Sequence, residues 1–295
     1  MANVTIPNVN FVPEIWAQRA LQALRANIVL ARLVQRDSDY AAFTQGATLH
    51  IPVPGTFVAN TKTAGANVTL QVPADARIDV TLNQHKEVTF LIEDILKVQS
   101  NQDLMDRYLK NAVIPLAEAI ESYLFGLYAS FSTAPLSAGA TPITAAILRT
   151  ARKQFNDNKA QRAGRSLVLT DGDEISVLGD TNLQSYFAFA KPETMVEGSI
   201  GRVYGIDIYA SQLVPFNVNN KNLAIAPDAL ILAMRGMPDS GAPGVDQMSV
   251  SDPLSGLALR QTVSYNPNAL GMQVTLDVLF GASMLRDKSG FVVLS

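Results

Sequence analysis

The stretch DLMDRYLKNAVIPLAEAIESYLFGLY, residues 103–128, decides how the rest of this chain is read. Leu104, Tyr108, Ala112, Leu116, Ala119, Tyr123 and Leu127 recur every three or four residues, while Asp106, Lys110, Glu118 and Glu121 fall on other faces. That is the spacing of an amphipathic helix, and at 1.5 Å per residue it is about 39 Å long. Ser100 or Asn101 can cap its start, and Asp103 and Asp106 place negative charge where the helix dipole favours it. Pro115 removes one backbone donor and crowds the carbonyl four residues earlier, so a bend is expected there.

A second marker is GSIGRVYGIDIYAS, residues 198–211. Gly198, Gly201 and Gly205 are spaced by three and four, which is not the dinucleotide fingerprint, and no strong strand precedes them. They read as tight turns leading into a strand over Gly205–Tyr209.

Working outward toward the N-terminus, Pro13 starts a helical pattern over Glu14–Arg36, with Ile15, Leu21, Leu24, Ile28, Ala31 and Val34 apolar and Arg19, Arg25, Arg32 and Arg36 basic. Gly46–Pro54 reads as a strand, and Ile78–Ile92 as a longer extended region with alternation at Ile78, Val80 and Leu82. Between them, Pro54–Ala76 holds only Lys62 and Asp75 as charges and too few large apolar residues for a core of its own. A long β-hairpin arm projecting from the body fits that composition. Its unpaired edges would become useful when a second copy of the chain covers them.

Toward the C-terminus, Thr144–Asn158 is an amphipathic helix with Ile147, Leu148, Ala151 and Phe155 inward and Arg149, Arg152 and Lys153 outward. With Lys159, Arg162 and Arg165 these form the densest basic patch, which reads as a solvated face or as a contact for a polyanion or a neighbouring subunit. Arg165–Thr170 is a buried strand, followed by Asp171-Gly-Asp-Glu174 and a short helix through Leu178. Short apolar runs at 206–210, 223–226, 230–234, 247–250, 257–263 and 272–280 read as strands of a mixed sheet, and Pro238–Gly244 as an exposed loop.

Composition narrows the chemistry. With 295 residues, 48% of them hydrophobic, the chain can build a sizeable core. A formal charge of −3 gives no general attraction to nucleic acid. The absence of cysteine removes disulfides, thiolate nucleophiles and thiolate metal sites. No secretory leader is expected from Met1–Asn8, and no bilayer span, since no window approaches 18 consecutive apolar residues.

No catalytic, metal or cofactor site is expected. His50 and His85 read as ordinary sheet histidines, with no recognisable nucleophile nearby in sequence. Asp171–Glu174 lacks the further ligands of a calcium loop and reads as a turn and helix cap. Glu93-Asp94 and Glu118/Glu121 are paired by sequence only. There is no Gly-x-Ser-x-Gly, Walker loop or His-Glu-x-x-His.

In its order of elements the chain resembles the major capsid proteins of tailed bacteriophages with the Hong Kong 97-type fold, an α+β fold. The resemblance rests on the basic helix introduced by Phe11-Val-Pro-Glu-Ile-Trp16, the Pro13-Glu-Ile-Trp-Ala17 motif of one coat-protein branch, the 46–54 strand opening an arm, the long helix, the 198–211 segment and the late strand Gly271–Gly281. It implies an N-terminal arm over 1–45, an extended loop with its flanking strands over 46–93, and a peripheral domain over 94–163 and 249–295 with its spine helix at 101–130. An axial domain over 164–248 completes it. The implied function is a structural capsid subunit, not an enzyme, assembling as pentamers and hexamers into an icosahedral shell around double-stranded DNA. Arg25, Arg32, Phe57, Lys62, Arg149 and Arg152 would be assembly contacts, and Lys62 would stand where some relatives crosslink a loop lysine to a neighbour. Scaffolding protein and portal are implied partners, DNA an indirect one, and no membrane or cofactor is implied. The implied locations are the virion and, during assembly, the host cytoplasm. The alternatives are an encapsulin-like nanocompartment shell, another virion component such as a tail or baseplate protein, and a hydrolase using the Asp171–Glu174 carboxylates.

Overall fold

The computed structural model describes residues 18–20, 28–36, 48–53, 55, 57–65, 67–73, 75–94, 104–139, 141–184, 200–238, 241, 245–252 and 257–295. Its backbone is organised by one long strand, β12 (Gly271–Met284). Along 271–280 β12 pairs antiparallel with β4 (Gln84–Glu93), along 271–277 with β11 (Leu257–Asn266), and along 279–284 with β9 (Leu230–Arg235). β10 (Val245–Asp252) extends the sheet beyond β11, and β1 (Gln35–Arg36) joins β9 in parallel, making six strands.

The second sheet has five strands in the order β13 (Gly290–Leu294), β8 (Lys221–Ile225), β5 (Ser166–Leu169), β7 (Ile206–Ala210) and β6 (Arg202–Val203). All four residues of β5 are buried, as a central strand covered on both faces requires. One face, with Val168, Leu223 and Ile225, joins the main core. The other, with Leu167, Ile206, Ala224 and Phe291, lies under helix α3 (Ala145–Asp157) and Val177 of α4 (Asp171–Leu178). A separate hairpin pairs β2 (Thr48–Val53) with β3 (Ala76–Thr81).

The long helix forms as α2, Leu104–Gly126, with Pro115 inside it and a 3-10 turn over Leu127–Ser130. Its buried stripe differs from the expected one: Leu109, Ala112, Val113, Leu116, Ala117, Ile120, Leu124 and Phe125 are buried, whereas Tyr108 is 48% exposed. Glu121, expected on a polar face, is on the buried one. Among the described residues Tyr108–Ser130 is also long and apolar enough to cross a bilayer, although Lys110, Glu118 and Glu121 interrupt its apolar run. Here that apolarity is used against β4 and β12 in the core.

Other expectations change in detail. The helix expected over Glu14–Arg36 is interrupted: residues 18–20 are helical, 28–29 are not, α1 (Leu30–Leu33) is a single turn, and Gln35–Arg36 is extended against Ile231 and Leu232. The extended region at 78–92 splits at Leu82–Asn83 because β3 is held by β2 while β4 is held by β12. The split passes so close to β12 that a Cβ on Gly281 would lie 2.1 Å from the Thr81 carbonyl oxygen. α3 packs on the five-stranded sheet, β9 belongs to the six-stranded one, and β13, absent from the expected strands, joins the five-stranded sheet.

Candidate assembly interface

The arm between β2 and β3 is a paired stem with an irregular end. The ladder runs from Thr48↔Thr81 to Val53↔Ala76. Beyond it the described residues form no strand, so the expected long hairpin is confined to the stem. The two limbs are tied instead by side chains, with Gly55 N–H donating to Asp75 (3.1 Å) and Val58 N–H to the Gln71 amide oxygen (2.9 Å). Phe57, Val58, Val68, Leu70 and Val72 are 66–95% exposed, a large apolar display for so few residues. Lys62 stands on the same arm, exposed, in a cleft lined by Asn60, Asn67 and Gln71.

The stem is fixed at its root. Leu49 and Val80 pack on Ile231 and Ala233 of β9. On the opposite face His50 Nδ1 lies 2.6 Å from Asp79, which also takes Arg77 at 2.9 Å. The hydrogen bond from His50 holds the Asp79 carboxyl below its ordinary range against desolvation, with the Arg77 charge adding to the lowering. His85, at the start of β4, contacts the buried Asp277 at 2.9 Å, and Arg260 grips the same carboxylate through Nε and Nη2 at 3.1 and 2.8 Å. The chain's two histidines are thus cross-strand partners of aspartates at the arm root.

Glu121 is the residue that sequence reasoning missed. It is 1% exposed, and its carboxylate accepts the amides of Val29 (3.1 Å), Leu30 (2.9 Å) and Ala31 (2.9 Å). These are the free donors at the start of α1, so a side chain on α2 closes the turn of the N-terminal segment. Burial pushes the Glu121 carboxyl up, opposed by the three amides and by Arg32. An acidic residue within the apolar half of a helical stripe was the available signal.

The Asp171–Glu174 carboxylates do not converge on a reaction centre. Thr170, not Asp171, caps α4, accepting the Asp173 amide at 3.3 Å. Asp173 is buried, and its Oδ2 accepts from Thr170 (2.7 Å), Asn220 (3.1 Å), Asn222 (2.8 Å) and Ser295 (2.6 Å), so it is occupied as structure. Among the described residues no three His, Asp or Glu side chains are grouped to hold a metal.

The basic patch is partly dismantled. Arg165 is 4% exposed and donates to Gln161 O, Asn156 Oδ1 and Ala160 O while lying over the Phe155 ring. Arg149, Arg152, Lys153, Lys159 and Arg162 remain outside, on α3 and the turn after it. Arg32 is exposed on α1, and Arg25 lies outside the described residues, as do Phe11–Ala17, Ser100 and Asn101, Gly198 and most of Pro238–Gly244. Of the marked glycines, Gly205 forms with Tyr204 a turn in which both φ are positive, +78° and +50°, the requirement of a tight hairpin between β6 and β7.

No family model matches the sequence, and no curated protein does. Solved structures do. A chain from Mycobacterium phage Che8 shares 19% identity over 90% of both chains, with a TM-score of 0.66. The capsid structure of cyanophage P-SCSP1u shares 14% identity over 90% of this chain and 88% of that one, also at 0.66. The virus-like particle from Pyrococcus furiosus shares 12% identity over 95% and 98%, at 0.54. With coverage this complete and identity this low, what is shared is the path of the backbone, and the chain has the Hong Kong 97-type fold of tailed-phage capsid proteins.

Proposed function

We propose that this chain is the major capsid protein of a tailed-phage particle, a structural subunit whose copies assemble as pentamers and hexamers into an icosahedral shell around double-stranded DNA. The observation that carries this reading is the arm: five large apolar side chains at 66–95% exposure on a segment without a core, anchored to a rigid sheet. Burying one such side chain is worth about 1.5–3 kcal/mol, so laying the arm on a second copy supplies a sizeable share of a subunit contact. Its low charge keeps the desolvation cost small. The fold shared with capsid structures supports the same reading. In it the arm is the extended loop, α2 the spine of a peripheral domain, and the five-stranded sheet the body of an axial domain. Scaffolding protein, portal, assembly in host cytoplasm and a final place in the virion follow as parts of the proposal.

Sedimentation and negative-stain microscopy of the expressed chain test it. Megadalton closed particles are expected, and a species that stays a small oligomer under all assembly conditions would sink the idea. The second reading is a shell around protein cargo; the likeness to the Pyrococcus furiosus virus-like particle, at a lower TM-score than the phage capsids, supports a shell without saying what it encloses. Nuclease-protected DNA inside purified particles separates the two.

A further inference from the structure

The five-stranded sheet carries opposite charge at its two ends. Residues 145–165 hold six Lys or Arg and one acidic residue, in a chain of formal charge −3. Exposed Arg152, Lys159 and Arg162 gather where β5 begins: Arg152 donates to Tyr204 O (3.0 Å), in the turn that enters β7, and both Arg152 and Arg162 act electrostatically on Arg165, the residue before β5. Neither Lys159 nor Arg162 has an ion-pair partner among the described residues. Where β5 ends, α4 presents Asp171 and Glu174 beside Ile175 at 69% exposure; neither carboxylate has an ion-pair partner among the described residues, and Lys221, the first residue of β8, is the cation at that end. Burial and then the Asp171 charge raise the Glu174 carboxyl, as expected of acids left uncompensated. β5 has four residues, about 13 Å of strand, which keeps the two ends of one copy apart.

We propose that the basic end of one copy docks on the acidic end of the next, in a head-to-tail contact repeated around a ring. The proposal deepens the shell reading above and rests on it. A heterologous contact of this kind closes when its rotation closes, and complementary charge sets its orientation against the general repulsion of negatively charged copies. A nucleic acid would engage the basic end only. It would leave two unpaired carboxylates and an exposed isoleucine facing nothing, whereas a second copy uses both ends at once.

The chain's lack of cysteine makes the test clean. In the variant Arg162→Cys with Glu174→Cys, the two thiols of one copy are too far apart to bridge, since a disulfide needs Cα atoms within about 7 Å. Oxidation of assembled protein is expected to give a ladder of covalent multimers. Lys159→Glu with Arg162→Glu is expected to cut multimer yield about tenfold, Asp171→Lys with Glu174→Lys equally, and the fourfold combination to restore it. All variants should melt like the parent. Assembled protein without a ladder, or folded fourfold variant that stays dissociated, overturns the proposal. So does loss of bound nucleic acid with multimers intact. A ladder without closed shells would keep this contact and sink the shell reading, while closed shells without a ladder would do the reverse.

Discussion

Glu121 is where a single side chain carries most structural consequence. Glu121→Gln keeps the shape but turns one acceptor into a donor facing the Leu30 amide. It is expected to cost about 1–3 kcal/mol, and hydrogen exchange should show the Val29, Leu30 and Ala31 amides losing protection ahead of the core. The pH dependence follows from the direction of the shift. Because burial raises this carboxyl in the folded state, its contribution is most favourable below the unfolded value and declines as pH rises through the raised one. The Gln variant should lack that decline above about pH 4.3. Parallel slopes in thermal melts of the two proteins would contradict it. Gln261 makes the opposite case: it is fully buried on β11, with neither amide atom partnered among the described residues. Gln261→Met, close in volume, is expected to stabilise by about 1 kcal/mol, read as a higher denaturant midpoint at constant slope.

At the scale of elements, the β3–β4 break sets where the arm leaves the body. Gly281→Ala puts a methyl group into the Thr81 carbonyl, and neither strand can retreat without breaking a ladder. A loss of about 2 kcal/mol or more is expected, with limited proteolysis attacking the arm root first; unchanged melting and cleavage would show that the crossing gives way easily. The elements themselves were largely legible. The apolar run at 206–210 is β7 to the residue, and runs at 230–234, 257–263 and 272–280 fall within β9, β11 and β12, since short apolar runs bounded by turn residues mark strands with a buried face. Less legible were the stripe of α2 and the single turn of α1. Tyr108 fits a helical period as well as Leu109 does, and only the packing of β4 and β12 against the helix selects between them.

For the whole molecule, assembly and stability should separate. Leu70→Asp with Val72→Asp alters side chains at 88% and 95% exposure, so the melting temperature is expected to stay within about 2 °C while sedimentation shows shell formation abolished. Normal closed shells from that variant would remove the arm from the contact. Of the expected assembly residues, the structure exposes Arg32, Phe57, Lys62, Arg149 and Arg152 without bringing them to one place. That dispersion suits a subunit that touches several neighbours. By itself the sequence determined most of the strands, the long helix and the coreless arm, because period, turn residues and composition act over a few neighbouring positions. Only the tertiary structure decided which face of the helix is buried, that Glu121 closes a turn ninety residues away, that Arg165 leaves the surface, and that basic and acidic groups lie at opposite ends of one sheet. Each of those depends on desolvation and pairing between segments distant in the chain, and local pattern carries no record of the partner.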